Sequence, residues 1–305
     1  MELMFLGTGA GMPSKERNVT SIVLNLLQEN NSLWLFDCGE ATQHQMLYTK
    51  LKPRKVNKIF ITHLHGDHLF GLPGFLSSRS FHGGNNLLTI YGPPGIKQFV
   101  STSLEVSHTQ LSYELEIVEI KDGIIFEDEL FTVHCDELVH NVPSFAFKVV
   151  EKDLPGQLQV EKLKALGIKP GPIYKQIKDN EQVELEDGTI IDRKQFIGPA
   201  KRGKIISIFG DTIYSEQHSE FAENADVLVH ESTFSSEMEE TALNYYHSTT
   251  TQAASLAKKA QVNQLILTHI SSMYQKGDIN MLLEEAKEVF PNTIIAEDFL
   301  IHQIK

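Results

Sequence analysis

Apolar residues in this chain arrive in short β-branched and aromatic runs, each stopped by glycine or a polar residue. Residues 2–6 (ELMFL) and 20–27 (TSIVLNLL) read as strands, separated by the glycine-rich turn Gly7-Thr8-Gly9-Ala10-Gly11. Residues 33–36 and 57–62 (NKIFIT) continue the pattern, with helical spacing over 40–51 between them and an apolar stretch at 69–76 that predicts a buried helix or its entry turn. A further strand is expected at 87–91, and Pro93-Pro94 introduces a helix through about Leu104. The runs 114–120 and 124–127 flank Lys121-Asp122-Gly123, which predicts a hairpin. Strands at 129–139 and 144–150 follow.

The pattern breaks from 151 to 203. Proline and glycine recur there (Leu154-Pro155-Gly156, Lys169-Pro170-Gly171-Pro172, Gly198-Pro199), and long apolar runs disappear. An amphipathic piece at 159–166 predicts a helix, and 183–191 around Asp187-Gly188 predicts a hairpin. A connection this long exceeds what a compact sheet protein needs. It reads as an insertion that projects and binds something, because candidate ligands lie on both sides and the two halves must build one site. Strand–helix alternation then resumes, with strands at 204–209, 226–229, 264–268, 293–296 and 298–304 and helices at 249–260 and 279–289.

The chemistry sits where strands stop. Ile61-Thr62-His63-Leu64-His65-Gly66-Asp67-His68 places three imidazoles and a carboxylate at the end of the 57–62 run. These are nitrogen and oxygen ligands that Zn²⁺ accepts without thiolate. His63 and His65 can close on one ion, while Asp67 and His68, beyond the Gly66 bend, can turn toward a second. Three more runs end the same way, at His140, Asp211 and His269. In a sheet, such groups line one rim, where α/β proteins commonly build their sites. Asp37 also ends a strand; it is either a hydrogen-bonding support of the ligand loop or a plain turn aspartate. The glycines at 7–11 carry no P-loop, since no lysine-serine pair closes the turn and no long helix follows.

Composition changes this picture little. Hydrophobic residues at 41% and charged residues at 22% are ordinary for a globular protein with a sizeable core. Cys38 and Cys135 form no metal-type pair and suggest a reducing compartment; no apolar run approaches a membrane span, so the expected location is cytoplasmic. The net charge of -13 disfavours a uniformly basic nucleic-acid binder, yet only the local field meets a ligand. Two basic stretches stand out: Lys50, Lys52, Arg54, Lys55 and Lys58, and, inside the insertion, Lys162, Lys164, Lys169, Lys175 and Lys178. Each is either a solvated surface or a phosphate-binding face.

The His-x-His-x-Asp-His run with His140, Asp211 and His269 resembles the metallo-β-lactamase fold and its two-metal hydrolases. The resemblance implies an αβ/βα sandwich over residues 1–305, with the insertion at 151–203 as a flexible exosite arm within one α/β domain. It implies His63, His65 and His140 on one zinc and Asp67, His68 and His269 on the other, with Asp211 bridging. Three further motifs narrow the family. Pro13-Ser14-Lys15-Glu16-Arg17-Asn18, His230-Glu231-Ser232-Thr233 and His247-Ser248-Thr249, together with the arm around Gly171-Pro172, resemble ribonuclease Z in its short form, the endonucleases that trim the 3′ end of precursor tRNA. Serine at 232 stands where that family's pattern has alanine.

The resemblance implies a homodimer acting on precursor tRNA with two Zn²⁺ per subunit. Asp67 would accept the water's proton, and His247 paired with Glu231 would donate one to the leaving 3′ oxygen. Lys15, Arg17, Asn18, Gly171 and Pro172 would contact the RNA. The alternatives are a small-molecule phosphodiesterase or arylsulfatase-like hydrolase of the same fold, and an RNA-binding protein with a degenerate metal site.

Overall fold

The computed structural model describes residues 1–305 apart from Pro155 and Glu186, so the Leu154-Pro155-Gly156 break and the 183–191 hairpin each include one residue outside that description. Two seven-stranded sheets carry the main body. The first runs, in spatial order, Ile301–Gln303, Glu2–Gly7, Ser21–Leu26, Ser32–Phe36, Val56–Phe60, Leu88–Gly92 and Leu115–Glu119. The second runs Thr293–Ile295, Leu265–Thr268, Val227–Glu231, Ile205–Phe209, Ser144–Glu151, Phe131–Leu138 and Gly123–Glu127.

Several strands read as unbroken apolar runs because both of their faces are buried. Successive side chains point to opposite faces. Thus Leu3 and Phe5, with Trp34 and Phe36, face the second sheet's Phe131, Phe147, Ile208 and Val229. The alternate residues Met4, Leu6, Leu33 and Leu35 pack under the helices Leu72–Phe81 and Ile96–Val106. On the far face of the second sheet, Leu228, Leu265 and Leu267 meet Ala253, Ala254 and Ala257 of the helix Thr250–Lys259. The order is helices, sheet, sheet, helices. Aromatic rings tie the middle layer: Phe36 stacks on Phe60 at 4.9 Å, and Trp34 meets Phe131 of the other sheet edge-on at 5.2 Å. Such pairs add about 0.5–1.5 kcal/mol each beyond the area they bury.

One expectation fails. Lys121-Asp122-Gly123 closes no hairpin; it passes the chain from the edge of one sheet to the edge of the other. Leu115–Glu119 pairs in parallel with Leu88–Gly92, whereas Gly123–Glu127 pairs antiparallel with Phe131–Leu138. Gly123, at φ 117°, takes a backbone region that disfavours any side chain. Leu115–Glu119 is taken by the more distant Leu88–Gly92, and Gly123–Glu127 by its own hairpin with the next strand, so the two flanking strands are not free to pair with each other.

The topology sets the rim. Ile205–Phe209, Val227–Glu231 and Leu265–Thr268 are mutually parallel, so their C-terminal ends lie together. Asp211 and His269 follow two of these ends directly.

Residues Glu151–Lys204 form a compact unit of their own. Leu163, Ile168, Ile177, Ile191 and Phe196 make its core. Two helices, Val160–Ala165 and Pro172–Asp179, and a hairpin of Gln182–Glu184 with Ile190–Asp192 surround that core. At its base, Leu158 bridges Ile197 and Leu154 bridges Lys201. The second helix was not anticipated, because three closely spaced prolines and glycines masked its short amphipathic turn pattern. All five lysines between 162 and 178 are exposed. Among the described residues no helix is long and apolar enough to cross a membrane.

Candidate metal centre

The strand Val56–Phe60 runs into His63, and Gly66–Leu69 then turns as a single short helix carrying Asp67 and His68. Their ring nitrogens and carboxylate oxygens converge with those of residues delivered from the second sheet. His63 Nε2 lies 3.1 Å from His65 Nδ1, which lies 3.3 Å from His140 Nε2. His68 Nε2 lies 3.2 Å from His269 Nε2, and Asp67 Oδ2 lies 3.2 Å from the same nitrogen. Between the two groups sits one oxygen, Asp211 Oδ2, at 3.5 Å from His63 Nε2, 3.4 Å from His68 Nε2 and 3.3 Å from His269 Nε2. All seven expected ligands are thus together, in clusters of His63, His65, His140, Asp211 and of Asp67, His68, His269.

These spacings fit metal ions. Ligands about 2.0–2.1 Å from a tetrahedral ion stand roughly 3.3 Å from one another, the separation seen across both clusters. Four of the five imidazoles also have a partner on the outward nitrogen, which fixes ring orientation. His68 Nδ1 donates to Asp37 Oδ2 at 2.7 Å, His140 Nδ1 to the Tyr246 carbonyl at 2.8 Å, and His269 Nδ1 to Thr233 Oγ1 at 2.9 Å. Thr62 Oγ1 lies 3.0 Å from His63 Nδ1. Asp37 also accepts from Thr62 N and Oγ1, so it supports the ligand loop instead of serving as a plain turn residue.

Burial pushes the pKa of His63, His65 and His140 down, leaving the neutral imidazoles that bind cations. For His68, burial works in the same direction but is overcome by Asp211, Asp67 and Asp37, which raise it. Burial alone would raise Asp67 and Asp211; the surrounding imidazoles hold both below the usual carboxylate range. Three carboxylates around one buried imidazole make a place that favours positive charge.

Beside this centre stands the pair Glu231 and His247. The Glu231 carboxylate accepts from Ser248 N at 2.8 Å, Thr212 N at 3.3 Å, and Thr233 N and Oγ1 at 3.0 Å each. His247 Nδ1 donates to Glu231 Oε1 at 3.1 Å. Burial lowers the His247 pKa, but the Glu231 charge and hydrogen bond, helped by Asp211, raise it to about 9. His247 Nδ1 is 3.9 Å from Asp211 Oδ2, so this nitrogen leans toward Glu231, although His247 also groups with Asp211 and His269 as residues that could hold a cation. The hydroxyl of Ser232 is buried and reaches the Thr268 carbonyl at 3.4 Å, which accommodates the departure from alanine.

The expected RNA contacts separate. Lys15 is exposed, as are Gly171 and Pro172, the last opening the arm's second helix. Asn18 is half-buried, its Nδ2 donating to the Glu40 carbonyl at 2.8 Å. Arg17 departs from the expectation: it is only 9% exposed and its guanidinium points inward. The sequence reading also missed Thr233, which joins His269 to Glu231, and Gly11, whose N–H donates to Asp67 Oδ2 at 2.7 Å. No local pattern identifies either role, because their partners lie 36 and 56 residues away.

Known proteins resemble this chain along its whole length. A family model described as anti-Pycsar protein Apyc1 matches residues 1–145. Ribonuclease Z of Anoxybacillus flavithermus is 59% identical over 299 residues, covering 98% of this chain and 96% of that protein. Ribonuclease Z of Oceanobacillus iheyensis is 57% identical over 306 residues, covering the whole of both. Among solved structures, the short form of human tRNase Z is 30% identical and superposes with a TM-score of 0.73, each chain covered in full. The metallo-β-lactamase fold protein YhfI from Bacillus subtilis, 20% identical over 98% of both chains, shares the fold with a TM-score of 0.68.

Proposed function

This chain belongs to the ribonuclease Z family, and on that premise we propose that it holds two zinc ions and cuts the 3′ trailer from precursor tRNA by hydrolysis of one phosphodiester. As a member of that family it is a tRNA 3′-processing endoribonuclease on the metallo-β-lactamase fold. The observation that carries the mechanism is a carboxylate oxygen, Asp211 Oδ2, shared by two ligand clusters, with a carboxylate-held imidazole beside them. His63, His65 and His140 would hold one ion, Asp67, His68 and His269 the other, and Asp211 both. Bound there, the two ions would supply Lewis-acid stabilisation of phosphoryl charge and acidify the attacking water.

The chain's own groups do the rest. Asp67 Oδ2 is fixed by Gly11 N–H, so the carboxylate is positioned to orient water and accept its proton. Water oxygen bonds to phosphorus, and the P–O3′ bond breaks. His247, its Nδ1 fixed on Glu231, presents Nε2 as the donor to the leaving 3′ oxygen. The tRNA then carries a 3′-hydroxyl and the trailer a 5′-phosphate. Lys15 at the rim and the lysine-bearing arm around Gly171 and Pro172 would bind RNA phosphates. A homodimer, with each arm serving the partner's site, and a cytoplasmic location where tRNA matures complete the reading. Incubating the purified protein with a 3′-extended tRNA and mapping the cut tests it; cleavage anywhere but the tRNA–trailer junction would refute it.

Two substitutions probe the parts. His247→Ala should retain both zincs and slow cleavage of precursor tRNA by about 10²–10⁴-fold. A nitrophenyl diester, whose leaving group needs no proton, should be affected far less. Equal slowing of both would make His247 a positioning group.

Asp37→Asn places an amide N–H₂ or a weaker acceptor against His68 Nδ1. That pushes the imidazole proton toward Nε2, the nitrogen facing the metal cluster. Zinc affinity should fall about 10–100-fold in chelator competition, with the melting temperature changed little. Unaltered affinity would remove Asp37 from ligand support.

A further inference from the structure

We propose that Arg17 is a positioning residue for the Asp67–His269 half of the centre and acts from inside the fold instead of on RNA; the inference rests on the two-metal reading above. In sequence Arg17 lies two residues from Lys15 on an exposed loop, where a guanidinium ordinarily meets phosphate. The structure turns it inward. Its Nη1 donates to Thr8 Oγ1 and to the Ala296 carbonyl, each at 2.6 Å. Thr8 Oγ1 in turn donates to Asp298 Oδ1 at 2.7 Å, and Asp298 Oδ2 accepts from Asn18 N at 2.7 Å and Gln45 Nε2 at 3.1 Å. A guanidinium taken from water is retained only where such partners satisfy it.

The two acceptors of Arg17 lead to two different ligands. Thr8 opens the turn whose Gly11 N–H fixes Asp67 Oδ2 at 2.7 Å. In that turn Gly9–Ala10 pairs in parallel with Ile270–Ser271, the two residues that follow His269, and Ile270 N donates to the Thr8 carbonyl at 3.0 Å. On the other side, Ala296 N donates at 2.8 Å to the carbonyl of Leu267, in the strand that delivers His269. One nitrogen therefore ties the loop that aims Asp67 to the strand end that aims His269. His269 itself sits at φ 57°, a left-handed backbone that a residue with a side chain keeps only where its surroundings enforce it. Glycine at position 9 permits the close approach, because a Cβ there would stand 3.1 Å from Arg17 Cβ.

A phosphate contact and a positioning role differ in what they disturb. The positioning role predicts that Arg17→Met lowers kcat on precursor tRNA and on a nitrophenyl diester alike, about 10–100-fold. KM for precursor tRNA and the salt slope of its binding stay at the wild-type values. In titration with a chelator, one zinc equivalent weakens and the other does not. A raised KM with a salt slope smaller by about 0.7–0.9, and an unaffected diester, would overturn the proposal in favour of an RNA contact. Weakening of both equivalents in step with a fall in Tm would overturn it in favour of a general structural role. If Arg17→Met fails to fold, Thr8→Val removes only the hydroxyl relay; the same selective loss is expected, and wild-type metal affinity with wild-type diester turnover would overturn the proposal. The zinc titration also separates the two inferences, since it reads Arg17 even if the wild-type protein cuts no tRNA.

Discussion

Asp67→Ala will leave a folded protein that binds precursor tRNA but cleaves it about 10³-fold or more slowly, combining the loss of a proton acceptor with that of a metal ligand. The side chain meets the His269 and His68 imidazoles on one side and Gly11 N–H on the other, so its removal takes away both the acceptor and the contact that aims it. Asp67→Asn is the sharper version. It keeps the shape and an oxygen for Gly11 N–H but lacks the charge, and it should be nearly as slow. Single-turnover cleavage by protein whose zinc content has been measured distinguishes lost chemistry from lost metal. Wild-type turnover in metal-loaded Asp67→Ala would remove Asp67 from the mechanism.

Excising 159–196 and joining Leu158 to Ile197 by a short Gly/Ser turn should separate binding from chemistry. Those two residues already face each other in an antiparallel bridge, and the excised piece contains the buried core Leu163, Ile168, Ile177, Ile191 and Phe196, so of the apolar residues packed on that core only Leu158 remains and loses its cover. All seven proposed ligands lie in the other unit. Diester hydrolysis should persist near the wild-type rate. The five exposed lysines go with the arm, although Lys164 is partly engaged by Glu161 at 2.8 Å. Loss of three to five phosphate contacts would reduce the salt slope of tRNA binding by roughly 2 to 4.5. Mixing this protein with Asp67→Ala should restore some tRNA cleavage, since a heterodimer then pairs an intact arm with an intact site. Unchanged tRNA affinity would refute the exosite role; no restoration in confirmed heterodimers would refute the crossed arrangement alone.

The candidate ligands that the structure brings together are legible in sequence for a physical reason. A strand buried on both faces reads as a plain apolar run, so a histidine or aspartate where it stops marks the rim of a sheet. Asp211 and His269 are marked that way, whereas His63 and His140 follow half-buried strands and are marked by the polar residue at the strand end alone. Legibility ended where partners are remote. Lys121-Asp122-Gly123 carries sound turn chemistry, but whether it joins two strands of one sheet or changes sheets depends on Leu88–Gly92 and Phe131–Leu138. Arg17 looks like a phosphate ligand until Ala296, 279 residues later, takes its hydrogen bond. The helix Pro172–Asp179 was hidden by the very Gly171-Pro172 pair that starts it, proline being at home in a first turn.

The first sheet is closed at one side by the last strand of the chain. Glu2–Gly7 lies between Ser21–Leu26 and Ile301–Gln303, with Phe5 N donating to the Leu300 carbonyl and Phe299 N to that of Phe5. Until Ile301–Gln303 docks, Glu2–Gly7 therefore offers an open edge to any neighbouring chain. Ala296 and Asp298, which hold Arg17 and Thr8, lie just ahead of that closing strand. The frame that aims Asp67 and His269 is thus closed by contacts spanning 279 and 290 positions of the chain, so the two ends of the fold must pack together before the centre is aligned.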